Sequence, residues 1–194
     1  MPSKLINIAL RGAEAVFASV VLALSITLIK GQVYGTSPSA TNYSAFVGGI
    51  TLLGALVGLA STWIELLQSI LGIGIDVAVL LFNLAGGIAV AVKIGSINCS
   101  SGSDAQRSRM FNNALINGGC GRTKLYGQDY DVCAYGRPVL GFDSKTGEFS
   151  LGDWDSHLNS RCKENQAEAA FMLINVILLL ATITMAWLFI KKYR

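Results

Sequence analysis

Four stretches of the 194-residue chain, 15–29, 43–64, 77–92 and 169–190, hold no Asp, Glu, Lys or Arg. Nothing else in the sequence constrains the fold as much. A bilayer core about 30 Å thick takes roughly 20 mostly apolar residues per helix. Inside it, backbone polar groups must be satisfied within a helix or a closed barrel. Extending the runs by a few residues gives four spans, 6–29, 43–64, 67–92 and 167–190. A soluble four-helix protein is the competing reading, but soluble core helices are seldom apolar on every face. The composition agrees with the membrane: 52% of residues are hydrophobic and 14% charged. Arg11 and Glu14 interrupt the start of the first run and no small-residue cleavage site follows, so it reads as a retained span and not a secretory leader. The expected fold is an all-α integral membrane protein, a four-helix transmembrane bundle forming a single domain over 1–194. A disulfide-stapled extracellular loop subdomain, 93–166, lies between helices 3 and 4.

Charge placement orients it. Lys4 and Arg11 precede or begin the first span, and Lys191, Lys192 and Arg194 follow the last. Four spans put both termini on one side, and the excess of basic residues makes that side cytoplasmic. Lys30 and Lys93 are the counterweights. All four cysteines, Cys99, Cys120, Cys133 and Cys162, fall in 93–166. That confinement points to two disulfides in an oxidising compartment. A Cys99–Cys162 bond would close the loop at its base, with Cys120–Cys133 as an inner staple, but three connectivities are open to four cysteines. Two glycosylation sequons, at Asn42 and Asn98, also lie on the expected outer segments, close to the membrane.

The loop, 74 residues long, is too long to be structureless in a compact protein. Ser103 or Asp104 can cap a short helix through Ala114, with Met110, Phe111 and Leu115 on one side, ended by Gly118-Gly119. Leu125 to Phe142 alternates weakly, and Asp143 to Gly147 reads as a hairpin turn. The aromatic residues Tyr126, Tyr130, Tyr135 and Trp154 read as the core of this subdomain before they read as a contact surface. A tight hairpin with Trp63 at interface depth joins spans two and three, leaving Glu65 solvated.

Catalytic patterns are missing. The single histidine, His157, lies in the loop, no His/Cys set has metal-ligand spacing, and no serine has an evident base. Neither an enzyme, nor a cofactor, nor a nucleic-acid partner is expected. The informative polar groups are those at membrane depth, where an ionisable side chain is costly and usually faces a partner or water. At about 1.5 Å per residue, Arg11 in span one and Asp76 in span three reach similar depths. We expect them to pair and tie the two helices, with Glu14 one turn deeper. Snorkelling to the interface and an ion or proton path are the other two readings. Glu168 begins span four and is expected to reach headgroups or the loop. Gly54 and Gly58 form a GxxxG step, and Gly87 with Ala91 repeats the spacing, as close helix packing in lipid favours.

Two segments carry a resemblance. Asp76 followed by NLAGGIAVAVKIGSINC, and RCKENQAEAAF before the last span, resemble the fungal MARVEL-domain tetraspan proteins, in particular the eisosome-associated, non-classical-export family. The matching positions are Asp76, Ala85-Gly86, Cys99, Arg161-Cys162, Gln166-Ala167 and Ala170-Phe171, with Arg11 fitting an arginine early in span one. The loop between spans three and four departs from that family by its length and its added cysteine pair. The resemblance implies a non-enzymatic plasma-membrane organiser of lipid and protein microdomains. Its helices, including the Gly86-Gly87 step, would pack and self-associate, and Lys191, Lys192 and Arg194 would contact anionic lipid. Membrane lipids, sphingolipid or sterol among them, and further copies or other membrane proteins are the implied partners. The rival classes are a tetraspanin-like adhesion or scaffold protein acting through the loop, and a channel or transporter subunit using Asp76.

Overall fold

The computed structural model describes residues 4–61, 70–125, 128–134 and 152–193. Four long helices dominate: α1 (Lys4–Lys30), α2 (Ser39–Ala60), α3 (Ile70–Ile94) and, after the loop segment, α5 (Gly152–Tyr193). Between α3 and α5 come a short helix α4 (Asp104–Phe111) and a two-stranded antiparallel hairpin, β1 (Cys120–Leu125) and β2 (Gln128–Cys133). All four long helices are long and apolar enough to cross a membrane. They form a ring in which α1 packs on α2 and α5, and α3 packs on α2 and α5.

Each long helix turns one narrow seam inward. Along α1 the buried residues are Arg11, Glu14, Ala18, Val21, Ser25 and Leu28; along α5 they run Arg161, Asn165, Glu168, Met172, Asn175, Leu179 and Thr182. The steps alternate three and four residues, the spacing that keeps one helix face toward its neighbours at a shallow crossing angle. The opposite faces carry exposed Val16, Leu53, Leu56, Leu81, Val92, Ile177 and Leu180. In lipid there is no reason to hide such side chains, so the polar and small residues are the ones turned inward. At mid-depth Val21, Val47 and Met172 form an apolar layer, flanked by Tyr43, Phe82 and Phe171.

At Gly48, α1 crosses α2 closely. A Cβ built there would lie 2.8 Å from the Leu22 backbone nitrogen and 3.0 Å from its Cα. Backbone cannot yield as a side-chain tip can, so Gly48→Val should destabilise the bundle by about 1–3 kcal/mol. Detergent-titration unfolding measures this; an unchanged midpoint would show that the two helices do not approach this closely.

The loop side is built onto the helix ends. Met110, Leu115 and Ile116 join Val90, Ile94, Ile97, Leu158 and the buried Cys99 and Cys162 in one apolar cluster. Phe111 is only partly buried. The helix expected through Ala114 stops at Phe111. Asn113 offers a competing local bond, accepting the Leu115 amide on its side chain at 3.0 Å. The Cys120–Leu125 strand lies before the expected alternation, having little apolar alternation of its own. It is defined by its ladder, which runs from Leu125↔Gln128 to Cys120↔Cys133. Gly119, at φ +90°, sits so close to the Tyr34 carbonyl that a side chain has no room, and the Val33 amide donates to Gly118 O at 2.9 Å. The short 31–38 connection is thereby fastened to the larger loop. Helix α5 starts at Gly152, about four turns before the apolar run expected from residue 167. Trp63, Glu65, the 62–69 connection, Tyr126, Tyr135, the Asp143–Gly147 turn and the side chains of Tyr130 and Trp154 lie outside the described residues.

Candidate functional site

The chemistry sits inside the ring, at three levels. Nearest the termini, Arg11 reaches across the bundle diagonal to Asp76. Its Nη1 donates to Asp76 Oδ1 at 2.8 Å and to Glu14 Oε2 at 2.9 Å, and its Nη2 bonds Asp76 Oδ2. The fork geometry of guanidinium matches a carboxylate's two oxygens. All three side chains are buried, at 7%, 1% and 4% exposure for Arg11, Glu14 and Asp76. Thus Arg11 and Asp76 come together in the interior, and Glu14 is a third member facing the same guanidinium. Thr182 Oγ1 lies 3.4 Å from Glu14 Oε1, with the Leu179 carbonyl nearer at 2.9 Å. Gly58 makes the room: a Cβ there would overlap the Arg11 side chain.

At mid-depth Asn83 Nδ2 donates to Thr51 Oγ1 at 2.7 Å and to its own helix at Val79 O, 2.9 Å, joining α3 to α2. On the loop side Ser25 hydrogen-bonds Glu168 Oε1, joining α1 to α5. Glu168 is fully buried, which corrects the expectation that it reaches headgroups or the loop. It lies on the inward seam of α5, between the buried Asn165 and Met172, with Ser25 of α1 opposite. Two steps up the same seam, past Asn165, Arg161 Nε donates to Ile116 O at 3.1 Å, and Nη1 and Nη2 donate to Leu28 O at 3.3 Å. Leu28 is in the last turn of α1, where carbonyls lack intrahelical donors. Arg161 therefore caps α1, holds the loop and sits beside the Cys99–Cys162 bond. A Cβ at Gly31 would come within 2.5 Å of its Nη1.

The α5 seam is absent from the sequence reading, which treats Glu168 apart from its polar neighbours on the same helix. Its signal was present: Arg161, Asn165, Glu168, Asn175 and Thr182 all fall on one three-four repeat. The sequence also did not single out Gly48, Asn83 or Thr51.

The remaining candidates are placed as follows. Cysteines pair as Cys99–Cys162 and Cys120–Cys133. The four glycines face intrachain neighbours: Gly54 meets Val79, Gly58 meets Arg11, Gly86 meets Met172 and Tyr43, and Gly87 meets Leu173. Asn42 is exposed in the first turn of α2, bonded to Ser37, but Ser44 of its sequon is fully buried. Asn98 is exposed and its Oδ1 accepts the Ser100 amide at 3.0 Å. Lys191 Nζ lies 5.4 Å from the Trp187 ring centroid. The Lys192 side chain and Arg194 lie outside the described residues. Among the described residues, no three His, Cys, Asp or Glu side chains gather as they would around a metal.

This architecture can hold helices together by paired polar groups while presenting an apolar exterior to lipid. The model of the MARVEL membrane-associating domain matches residues 4–185. The chain belongs to the MARVEL family. No curated protein and no solved structure matches it. As a MARVEL chain it is a multi-pass membrane protein of four apolar helices, and its match covers the whole ring, the loop and both disulfides. The Arg11–Glu14–Asp76 cluster, the Ser25–Glu168 pair and the Arg161 cap all lie within the matched region.

Proposed function

We propose that this MARVEL protein is a non-enzymatic organiser of lipid and protein microdomains in the plasma membrane, of the fungal eisosome-associated type. The observation that carries it is that the long helices turn their buried charged, polar and small residues to inner seams and carry exposed apolar residues on their outer faces. With Arg11, Glu14, Asp76 and Glu168 buried inside, the surface offered to the membrane is the lipid-facing belt. In this reading 6–29, 43–64, 67–92 and 167–190 lie in the bilayer, both termini are cytoplasmic and 93–166 is extracellular. Lys191, Lys192 and Arg194 then meet anionic lipid, at about 1 kcal/mol for each basic residue near the surface. Arg11, Glu14 and Asp76 serve as an internal tie. Self-association uses the outer faces, since Gly54, Gly58, Gly86 and Gly87 meet neighbours in the same chain.

A transport role for Asp76 is less well supported. The apolar layer of Val21, Val47 and Met172 separates the Arg11 cluster from the Glu168 level, and a water path would have to cross it. An adhesion or scaffold role for the loop has one observation in its favour: the loop is fastened to α1, α3 and α5 by Arg161, the Val33–Gly118 bond and the Cys99–Cys162 bond, so it could present a fixed surface.

Imaging a fluorescently tagged copy in a fungal cell tests the proposal. Stable cortical patches should form, and they should disperse when sphingolipid synthesis is blocked. A uniform distribution unmoved by the block would overturn the organiser reading. Replacing 120–151 with a short Gly-Ser linker spares Met110, Leu115, Ile116 and Leu158. An organiser still forms patches without that segment, whereas a loop-driven scaffold loses them.

A further inference from the structure

Where α3 leaves its apolar stretch, its end and α4 flank an open cleft of about 430 Å³. Lys93, Ser96, Ser108, Arg109, Asn112 and Asn113 supply its polar lining, and no carboxylate lines it. Among the described residues, neither Lys93 nor Arg109 is in an ion pair. Two bonds tie the walls together: Arg109 Nη1 donates to Ser96 O at 2.9 Å, and Asn113 Nδ2 donates to Lys93 O at 2.7 Å. The guanidinium, with five N–H donors, keeps further donors for a ligand.

The cleft also stands at the head of an apolar row. Leu84, Ile88 and Val92 follow one another at four-residue intervals on α3, and Ser96 continues the interval into the turn beyond it. The three apolar side chains are exposed, Val92 at 75%. Residues four apart on a helix share a face. The row leads along α3 to Lys93, next to Val92 in sequence, and to the turn that carries Ser96, two residues of the cleft lining.

We propose that this cleft binds the phosphate headgroup of an acidic lipid in the leaflet on the loop side, opposite the one that meets Lys191 and Lys192, with one acyl chain lying along Leu84, Ile88 and Val92. Arginine offers a planar fork to phosphate oxygens and lysine a compact point charge. Ser108, Asn112 and Asn113 supply donors and acceptors for headgroup hydroxyls. A free phosphate would use the same cations but has nothing to place on the apolar row. The site rests on α3 spanning the membrane and does not depend on whether the protein clusters, so failure of the patch experiment would leave it standing.

Native mass spectrometry of the full chain in detergent tests the proposal, comparing phosphatidylinositol with phosphatidylcholine of the same acyl chains. Wild type should retain the acidic lipid by about tenfold or more over the zwitterionic one, as expected for two basic contacts. Lys93→Gln combined with Arg109→Gln should abolish the preference. Ser108→Glu should do the same while keeping both wall-tying bonds, which guards against a folding defect. Arg107→Gln removes the same charge from α4 outside the cleft and should keep the preference. Retention by Ser108→Glu and by the double variant would overturn the proposal. So would complete displacement of the lipid by millimolar inorganic phosphate, which would make this a site for the free anion.

Discussion

Arg11→Gln is expected to destabilise the bundle by about 3–5 kcal/mol, the usual cost of removing one partner from a buried charge pair. The size follows from the cluster's composition. One guanidinium faces two carboxylates, Glu14 and Asp76, all three buried. Without Arg11 the carboxylates confront each other in a low-dielectric interior. Asp76→Asn should cost less, about 1–3 kcal/mol, because Arg11 still has Glu14 and the new amide can accept from it. The effects should not add: in an Asp76→Asn background, Arg11→Gln removes a pair already half dismantled, giving a coupling of about 0.5–3 kcal/mol. Reversible unfolding in mixed detergent micelles measures all four proteins. Simple additivity, or a wild-type midpoint for Arg11→Gln, would mean that the guanidinium snorkels to the interface in the membrane and ties nothing.

Loss of the Cys99–Cys162 bond should be nearly as damaging. The two residues are 63 apart in sequence, and on the chain-entropy account closing a loop of that length stabilises by about 4 kcal/mol. Alanine is the appropriate replacement at both positions. Cys99 and Cys162 are buried among Val90, Ile94, Ile97, Leu115 and Leu158, where a serine hydroxyl would add an unsatisfied polar group. The Cys120–Cys133 bond spans 13 residues and should contribute about 3 kcal/mol by the same relation. The two double variants should differ in kind. Cys99→Ala with Cys162→Ala frees the loop from the ends of α3 and α5 and should expose 95–119 to protease. Cys120→Ala with Cys133→Ala should expose only the hairpin. Identical protease patterns for the two would show that the base of the loop is held by packing alone.

The seams explain how much could be read in advance. Charged and amide side chains inside or at the edge of the apolar runs mark the inward faces here, because lipid gives apolar side chains no reason to be buried. Arg11 and Glu14 in α1, and Arg161, Asn165, Glu168 and Asn175 in α5, mark those faces in the bare sequence. Charge alone was a poorer guide: it found Asp76 but placed Glu168 at the surface, when its neighbours on the repeat turn it toward Ser25. In the loop, strand β1 was illegible because Gly121, Arg122, Thr123 and Lys124 carry no apolar alternation. Its identity comes from pairing with Asp129, Tyr130, Asp131 and Val132, a non-local fact.

The bare chain sets the four crossings, since hydropathy over some 20 residues is a local property that bilayer thickness converts directly into a span. It also sets the depth of each polar group, because helical rise is constant. The partners follow from how the helices pack. Depth says that Arg11 and Asp76 can lie level, but the ring order α1, α2, α3, α5 puts them on a diagonal that one long guanidinium can bridge. The same ring puts Ser25 beside Glu168, brings Leu22 onto Gly48, and sets Arg161 under the last turn of α1. These choices depend on which helix neighbours which and at what rotation, and that is a property of the packed bundle, held by no single segment of the chain.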